Sequence, residues 1–156
     1  MCRGAAVSEL AAPVRGVLPV QMWVCDLVMS RPSLVENGKL KIMDNVICEK
    51  SFHFAIRIVN LYKYMCAEKS EYVMSKQLLR CGTSIGANVA EAQNAQSRAD
   101  FLSKLNIALK EASETKYWLR LLSETGCLSA EQFQSVFSDS VEIEKMLVTI
   151  VKSVKQ

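Results

Sequence analysis

The chain has 156 residues, of which half are apolar and 22% are charged. This composition fits one globular domain with a hydrophobic core and excludes a chain that is disordered over most of its length. The formal net charge of +3 is well below that of a dedicated nucleic-acid binder, so such a role would depend on where the charges lie or on several copies acting together.

Cysteine usage and hydropathy indicate a cytoplasmic protein. The six cysteines are scattered without a C-x-x-C pair, and most stand where a small apolar residue would fit. This distribution predicts reduced thiols rather than disulfides or zinc ligands. The apolar run from Val14 to Met29 is interrupted by Arg15, Pro19 and Asp26, so we expect neither a signal peptide nor a membrane span.

Residues 1–42 differ in kind from the rest of the chain. They contain all three prolines and three of the six glycines, and no helical period continues across them. We expect a poorly ordered N-terminal extension, followed by a helical domain over residues 43–156. Because Met43 precedes Asp44 and Asn45, which can cap a helix, two alternatives stay open: a loosely packed arm, or an extension that is not natively translated.

Four helices are predicted after this extension, because no proline follows and apolar residues recur at helical spacing. Ser70, Ser97 and Ser129 are the expected caps of the second, third and fourth helices, and Gly126 is the expected stop of the third. The helices are predicted at about residues 45–67, 70–96, 97–124 and 129–154.

The first predicted helix has two apolar faces side by side, so it should have two neighbouring helices. One face consists of Phe52, Ala55, Ile56, Val59 and Tyr62, and the other of Phe54, Ile58, Leu61 and Met65. Long helices joined by short connections favour antiparallel neighbours. We therefore predict an all-α protein with an antiparallel, up-down-up-down four-helix bundle.

The second predicted helix has three faces at about 100° per residue. Its core strip consists of Met74, Leu78, Cys81, Ile85, Val89 and Ala92. A face of small residues, Gly82, Gly86 and Ala90, is interpreted as a helix-packing seam within the bundle or between subunits. The third face is a polar stripe of Arg80, Ser84, Asn88 and Glu91. A comparable stripe on the third helix consists of Ile107, Glu111, Glu114 and Trp118.

Two sequence blocks carry a family resemblance. They read R-x-G-T-S-I-G-A-N-x-A-E-A from Arg80 and F-x-x-K-L-x-I-A-L-K-E-A-x-E-T-x-Y-W-L from Phe101. Together they resemble the bacterial four-helix-bundle proteins encoded in intervening sequences of 23S rRNA genes, over about residues 44–154. The resemblance implies a bundle that assembles as a ring-like homopentamer. Relatives include the accessory variability proteins of diversity-generating retroelements, which work with a reverse transcriptase and nucleic acid.

Three interpretations of the polar stripe remain open. The first is a hydrogen-bonded network between helices or subunits, whose members are Arg80, Ser84, Asn88, Glu91, Glu111, Glu114 and Trp118. The second is contact with RNA or DNA, for which the candidate residues are Arg57, Lys63, Lys76, Arg80, Lys104 and Lys110. The third is a metal or catalytic site built from Glu91, Glu111 and Glu114.

The sequence lacks most of what the third interpretation needs. Carboxylate metal sites in bundles pair glutamate with histidine at i and i+3, whereas Glu111 is followed by Glu114, and the single histidine, His53, lies on another helix. No serine or cysteine has a histidine base in its sequence context, and no phosphate-binding loop occurs. We expect no catalytic residue, metal or cofactor.

The function predicted from the sequence is that of a non-enzymatic, homo-oligomeric bundle. It would serve as an accessory or scaffold factor for RNA or a ribonucleoprotein. A protein-interaction module without nucleic-acid binding is the main alternative, and a metal-dependent bundle enzyme is a weaker one.

Overall fold

The computed structural model describes residues 38–155, and side chains from residue 46 onward. It contains four α-helices: α1 (Gly38–Lys69), α2 (Met74–Gln93), α3 (Arg98–Glu124) and α4 (Ala130–Lys155). Helices that follow one another in the chain pack side by side, and α4 closes the bundle against α1. The described part of the chain is therefore an all-α, antiparallel, up-down-up-down four-helix bundle, as predicted.

The first helix begins earlier than predicted. It starts at Gly38 and not near Asn45, so Asp44 and Asn45 lie inside the helix and do not cap it. The residues before them include leucine, lysine and methionine, which favour helix, and no proline interrupts them. The rest of the predicted N-terminal extension, residues 1–37, lies outside the described residues.

α1 buries one of its two apolar faces. Phe54, Ile58 and Met65 are at most 2% exposed, whereas Phe52 and Ile56 are 47% and 42% exposed. The two expected neighbours, α2 and α4, are present, but they pack on the side of Phe54. Phe52 and Ile56, which we call the outer α1 face, remain uncovered within the described bundle.

The apolar strip predicted for α2 forms its contribution to the core. Leu78, Cys81, Ile85 and Val89 are at most 1% exposed, as their helical spacing predicts. The helix ends at Gln93, three residues earlier than expected. Asn94 follows the helix with φ −103° and ψ 15°, and Ser97, the residue that caps α3, is extended with φ −153° and ψ 163°.

The predicted caps of α3 and α4 are confirmed. The Ser97 hydroxyl accepts a hydrogen bond from the backbone N–H of Asp100 at 3.1 Å. The Ser129 hydroxyl accepts one from the backbone N–H of Gln132, also at 3.1 Å. Gly126 follows α3 with φ +72°, a conformation that glycine adopts without steric cost and that commonly ends a helix.

The start of α2 is capped by Glu71 and not by Ser70. The Glu71 carboxylate accepts hydrogen bonds from the backbone N–H groups of Val73, Met74 and Ser75 at 3.0, 2.8 and 2.7 Å. Ser70 instead takes a left-handed conformation, with φ +52°, which turns the chain between the helices. The Ser70 prediction is wrong because a carboxylate reaches several of the unpaired N–H groups at a helix start and also suits its positive dipole.

We expect Glu71→Ala to lower the free energy of unfolding by about 1 kcal/mol at neutral pH, as loss of a helix cap usually does. Partial burial raises the pKa of the Glu71 carboxyl, but its hydrogen bonds outweigh this effect, so the net pKa lies below the ordinary value. A carboxyl with a lowered pKa stabilises the fold above its unfolded pKa, and this contribution is lost as the pH falls through the folded pKa.

Urea unfolding as a function of pH tests this cap. The difference in stability between wild type and Glu71→Ala should shrink as the pH falls below about 4.5. Glu68→Ala is the matched control, because Glu68 is exposed, lies nearby and caps no helix. Equal stabilities of Glu71→Ala and wild type at neutral pH would contradict the cap.

Candidate functional surface on α2 and α3

α2 packs closely against α1 at two glycines. A Cβ atom placed on Gly82 would lie 2.9 Å from Cγ1 of Ile58, and one on Gly86 would lie 3.3 Å from the backbone oxygen of Ser51. Any larger residue at Gly82 would require Ile58 to move. Ala90, the third member of the small-residue seam, is exposed. The two glycines therefore lie at a contact inside the bundle, and Ala90 lies outside it.

The polar stripe of α2 follows the outer surface beside α3. The Asn88 side-chain amide donates to the carbonyl oxygen and the hydroxyl of Ser84, at 2.8 and 3.1 Å. Glu91 pairs with Lys104 on α3 at 2.5 Å between Oε2 and Nζ. The side chain of Arg80 forms no hydrogen bond or ion pair with any residue of the described chain.

The stripe of α3 presents carboxylates next to apolar groups. The indole N–H of Trp118 donates to Glu114 at 3.1 Å, and the ring of Tyr117 packs edge-on against Trp118 with 5.1 Å between centroids. Ile107 and Tyr117 are 36% and 59% exposed. Neither Glu111 nor Glu114 has a cation partner among the side chains of residues 46–155.

The seven residues proposed as one polar network thus form separate contacts. Asn88 and Ser84 bond within α2, and Glu114 and Trp118 bond within α3. The contact that crosses between the helices joins Glu91 to Lys104, a lysine proposed for nucleic-acid binding. Exposed pairs of this kind contribute little to the stability of a fold, because water and salt screen the attraction.

The six basic candidates divide by whether they have an acidic partner. Arg57 pairs with Asp139 on α4 and also donates to the Ser135 hydroxyl at 2.7 Å. Lys104 pairs with Glu91, and the pKa of its amine is raised by the hydrogen bond to that carboxylate. The exposed candidates without an acidic partner in the described structure are Lys63, Lys76, Arg80 and Lys110.

Lys76 and Arg80 lie one turn apart on the outer side of α2. Like charges at this spacing repel each other by a few tenths of a kcal/mol, and no carboxylate of the described chain offsets them. Lys63 lies at the same level on α1. Because Ile58 lies opposite Gly82, the antiparallel register brings Lys63 level with Lys76 towards the connecting loop.

Cys81 is buried where α2 meets α3. Burial raises the pKa of its thiol to about 11; a hydrogen bond with Thr115 opposes this effect, and the charges of Glu114 and Glu111 add to it. A thiol with this pKa stays protonated at neutral pH and is a poor nucleophile. Sequence analysis did not identify Thr115, because a threonine on a core face has no signal of its own; its hydroxyl donates to the Glu111 carbonyl at 2.7 Å.

The rest of the described surface adds no recognisable reaction centre. Among the side chains described, those of residues 46–155, no three His, Cys, Asp or Glu are grouped so that they could hold a metal ion. His53 is exposed and packs edge-on near Phe52, with 6.3 Å between ring centroids. None of the four helices combines the length and hydropathy needed to cross a membrane. The surface offers cations, unpaired carboxylates and apolar groups, which are means of binding.

These features define an up-down-up-down four-helix bundle whose second and third helices carry glycine-rich, polar and aromatic blocks. The chain belongs to the 23S rRNA-intervening sequence protein family, whose model matches residues 43–149. This confirms the family predicted from those blocks.

A crystal structure supports the same assignment. It is that of a protein of unknown function from the S23 ribosomal protein family of Bacteroides thetaiotaomicron VPI-5482. The two sequences are 61% identical; the match covers 70% of this chain and 98% of that chain, with a TM-score of 0.70. A search of curated proteins gave no match.

Proposed function

We propose that this chain is a non-enzymatic, self-associating bundle that acts as an accessory or scaffold factor for RNA or a ribonucleoprotein in the cytoplasm. The observation that carries the RNA partner is the pair Lys76 and Arg80, two exposed cations one turn apart without an acidic partner in the described structure. A phosphate bound between them would relieve their repulsion and accept charge-assisted hydrogen bonds from both.

The relatives and the expected assembly support this partner. The family is named for intervening sequences of 23S rRNA, and the similar crystal structure is of an S23 ribosomal protein family member. The family resemblance implies a homopentamer. Because each chain has a net charge of +3, five copies would have a charge of +15 and present the Lys76 and Arg80 pair five times, which strengthens binding to a polyanion.

A titration with RNA at several salt concentrations tests the proposal. We expect Lys76→Ala with Arg80→Ala to weaken RNA binding at least about tenfold at low salt. For each copy whose pair contacts the RNA, the slope of log K against log salt should become shallower by about 1.4 for a single strand, or about 1.8 for a duplex, since two phosphate contacts are lost per copy. Fluorescence anisotropy with a labelled strand and its duplex measures both quantities.

The matched control is Lys145→Ala with Lys152→Ala, which removes two exposed charges from α4 and should change the affinity much less. Equal losses in the two double variants would show that only overall charge matters and would remove Lys76 and Arg80 as the site. If wild type fails to bind RNA at low salt, or binds with an affinity that ignores salt, the RNA partner is wrong.

A second candidate function is a protein-interaction module that does not bind nucleic acid. The exposed apolar pair Phe52 and Ile56 favours it, because exposed apolar side chains that lie together often mark protein contacts. The same titration separates the two candidates, since this module predicts no salt-dependent RNA affinity.

A further inference from the structure

We propose that the outer α1 face of one copy docks on α3 of a second copy, with Phe52 and Ile56 near Ile107 and with Lys63 beside Glu114. This inference rests on the self-association in the proposed function and names the surfaces that would form it. The contact is head-to-tail, because α1 and α3 are different surfaces of the same chain.

The outer α1 face needs a partner from outside the described bundle. Phe52 and Ile56 lie one turn apart and are 47% and 42% exposed. Both flanks of α1 are already occupied, by α2 and α4, so neither helix can cover these side chains without repacking the core. Burying two large apolar side chains that are half exposed contributes favourably to association.

A charge accompanies this face. Lys63 lies two turns beyond Ile56 on the same side of α1, is exposed, and has no acidic partner among the side chains of residues 46–155. A partner surface that combines apolar groups with unpaired carboxylates would therefore complement it.

The stripe of α3 is such a surface. Ile107 is 36% exposed and Tyr117 is 59% exposed, and the indole of Trp118 packs against the ring of Tyr117. Glu111 and Glu114 lie on the same stripe and have no cation partner among the described residues. Pairing one α1 with another α1 would leave Glu111 and Glu114 without a cation partner, so α3 is the better partner.

The two surfaces also lie at similar heights along the bundle. Ser51 lies opposite Gly86 across the α1–α2 contact, and Glu91 pairs with Lys104 across the α2–α3 contact. Following these antiparallel registers at about 1.5 Å per residue places the backbone of Phe52 within about one turn, roughly 5 Å, of the height of Ile107.

If copies are arranged side by side around an axis parallel to the bundle, the outer α1 face of one copy meets α3 of the next at a similar height. The contact joins two different patches on diagonally opposite helices, so it can repeat from copy to copy and close into a ring when the rotation fits. In such a ring α2 of every copy faces the same side, inner or outer, because the contacts between copies use α1 and α3. Lys76 and Arg80 would then stay accessible on that side.

Charge reversal tests the inference, with sedimentation velocity over a range of concentrations as the readout. Lys63→Glu alone and Glu114→Lys alone should each raise the dissociation constant of the assembly about tenfold or more, because like charges then face each other. The double variant Lys63→Glu with Glu114→Lys should return it to within about threefold of wild type. Lys145→Glu on α4 is the matched reversal away from both surfaces and should have little effect.

A second variant tests the apolar part of the contact. Phe52→Ser with Ile56→Ser should dissociate the assembly while circular dichroism shows the helical fold unchanged. An assembled wild type that is insensitive both to Lys63→Glu and to this variant would overturn the proposed surfaces, as would a double charge reversal that fails to restore assembly. A wild type that stays monomeric at every concentration would overturn the self-association itself.

Discussion

Phe54→Ala should lower the free energy of unfolding by about 3–5 kcal/mol, the usual range for truncating a buried phenylalanine. Phe54 is 2% exposed and lies in the core, so its removal leaves a cavity lined by residues that cannot fully collapse. Single domains are stable by only about 5–15 kcal/mol. This one truncation would therefore remove a large share of the stability of the bundle.

Phe52→Ala is the matched control. It truncates the same type of side chain two residues earlier on α1, where the phenylalanine is 47% exposed. Urea unfolding at low protein concentration should show a loss of less than about 1 kcal/mol for Phe52→Ala. At concentrations where wild type assembles, Phe52→Ala should lose more, since assembly stabilises the folded chain by mass action. Equal losses for both variants at low concentration would contradict the assignment of the two faces of α1.

Gly82→Leu should lower the free energy of unfolding by about 3 kcal/mol or more, the upper end of what overpacking a core costs. A Cβ atom at Gly82 already lies 2.9 Å from Ile58, which is fully buried and cannot turn away. A leucine adds three further carbon atoms at this contact. The two helices must then separate, which would also disturb the packing beside Gly82 along α2.

Ala87→Leu provides the control, because Ala87 lies on the exposed side of the same helix and leucine is a good helix former. Its thermal unfolding should stay close to wild type. Combining Gly82→Leu with Ile58→Ala should cost less than the sum of the two single changes, since the smaller side chain makes room for the leucine. An unchanged melting curve for Gly82→Leu would contradict the close approach of α1 and α2.

Periodicity predicted those parts of the fold in which one face of a helix is apolar. Leu78, Ile85 and Val89 are buried as their spacing in α2 indicates. α1 has two apolar faces with the same helical spacing, and only the positions of α2 and α4 decide that Phe54 is buried and Phe52 is not. A choice made by neighbouring helices leaves no signal within the helix itself.

The residues beside the connections predicted two of the three helix caps. Ser97 and Ser129 cap their helices as expected, because each stands directly before a helix. Ser70 was the wrong choice because the neighbouring carboxylate, Glu71, competes for the same N–H groups and reaches three of them. Propensity favours serine at a cap, but it does not describe how the chain turns before the helix.

The candidate surface depended most on contacts distant in sequence. Arg57 and Lys63 are both cations on α1, and nothing in their local sequence distinguishes them. Arg57 meets Asp139, which is 82 positions away, so its charge is compensated, whereas Lys63 has no such partner in the described structure. The sequence supplied the set of basic residues, and the packing of the helices decided which of them stay available.

Sedimentation velocity of the wild-type chain with a fluorescently labelled RNA measures self-association and RNA binding in one experiment. We expect the protein to sediment as one species of several chain masses at low salt and the RNA to move with it. Raising the salt should release the RNA while the assembly persists, since phosphate contacts are far more sensitive to salt than an apolar interface. A protein that sediments as a monomer without the RNA at low salt would contradict both the self-association and the RNA partner.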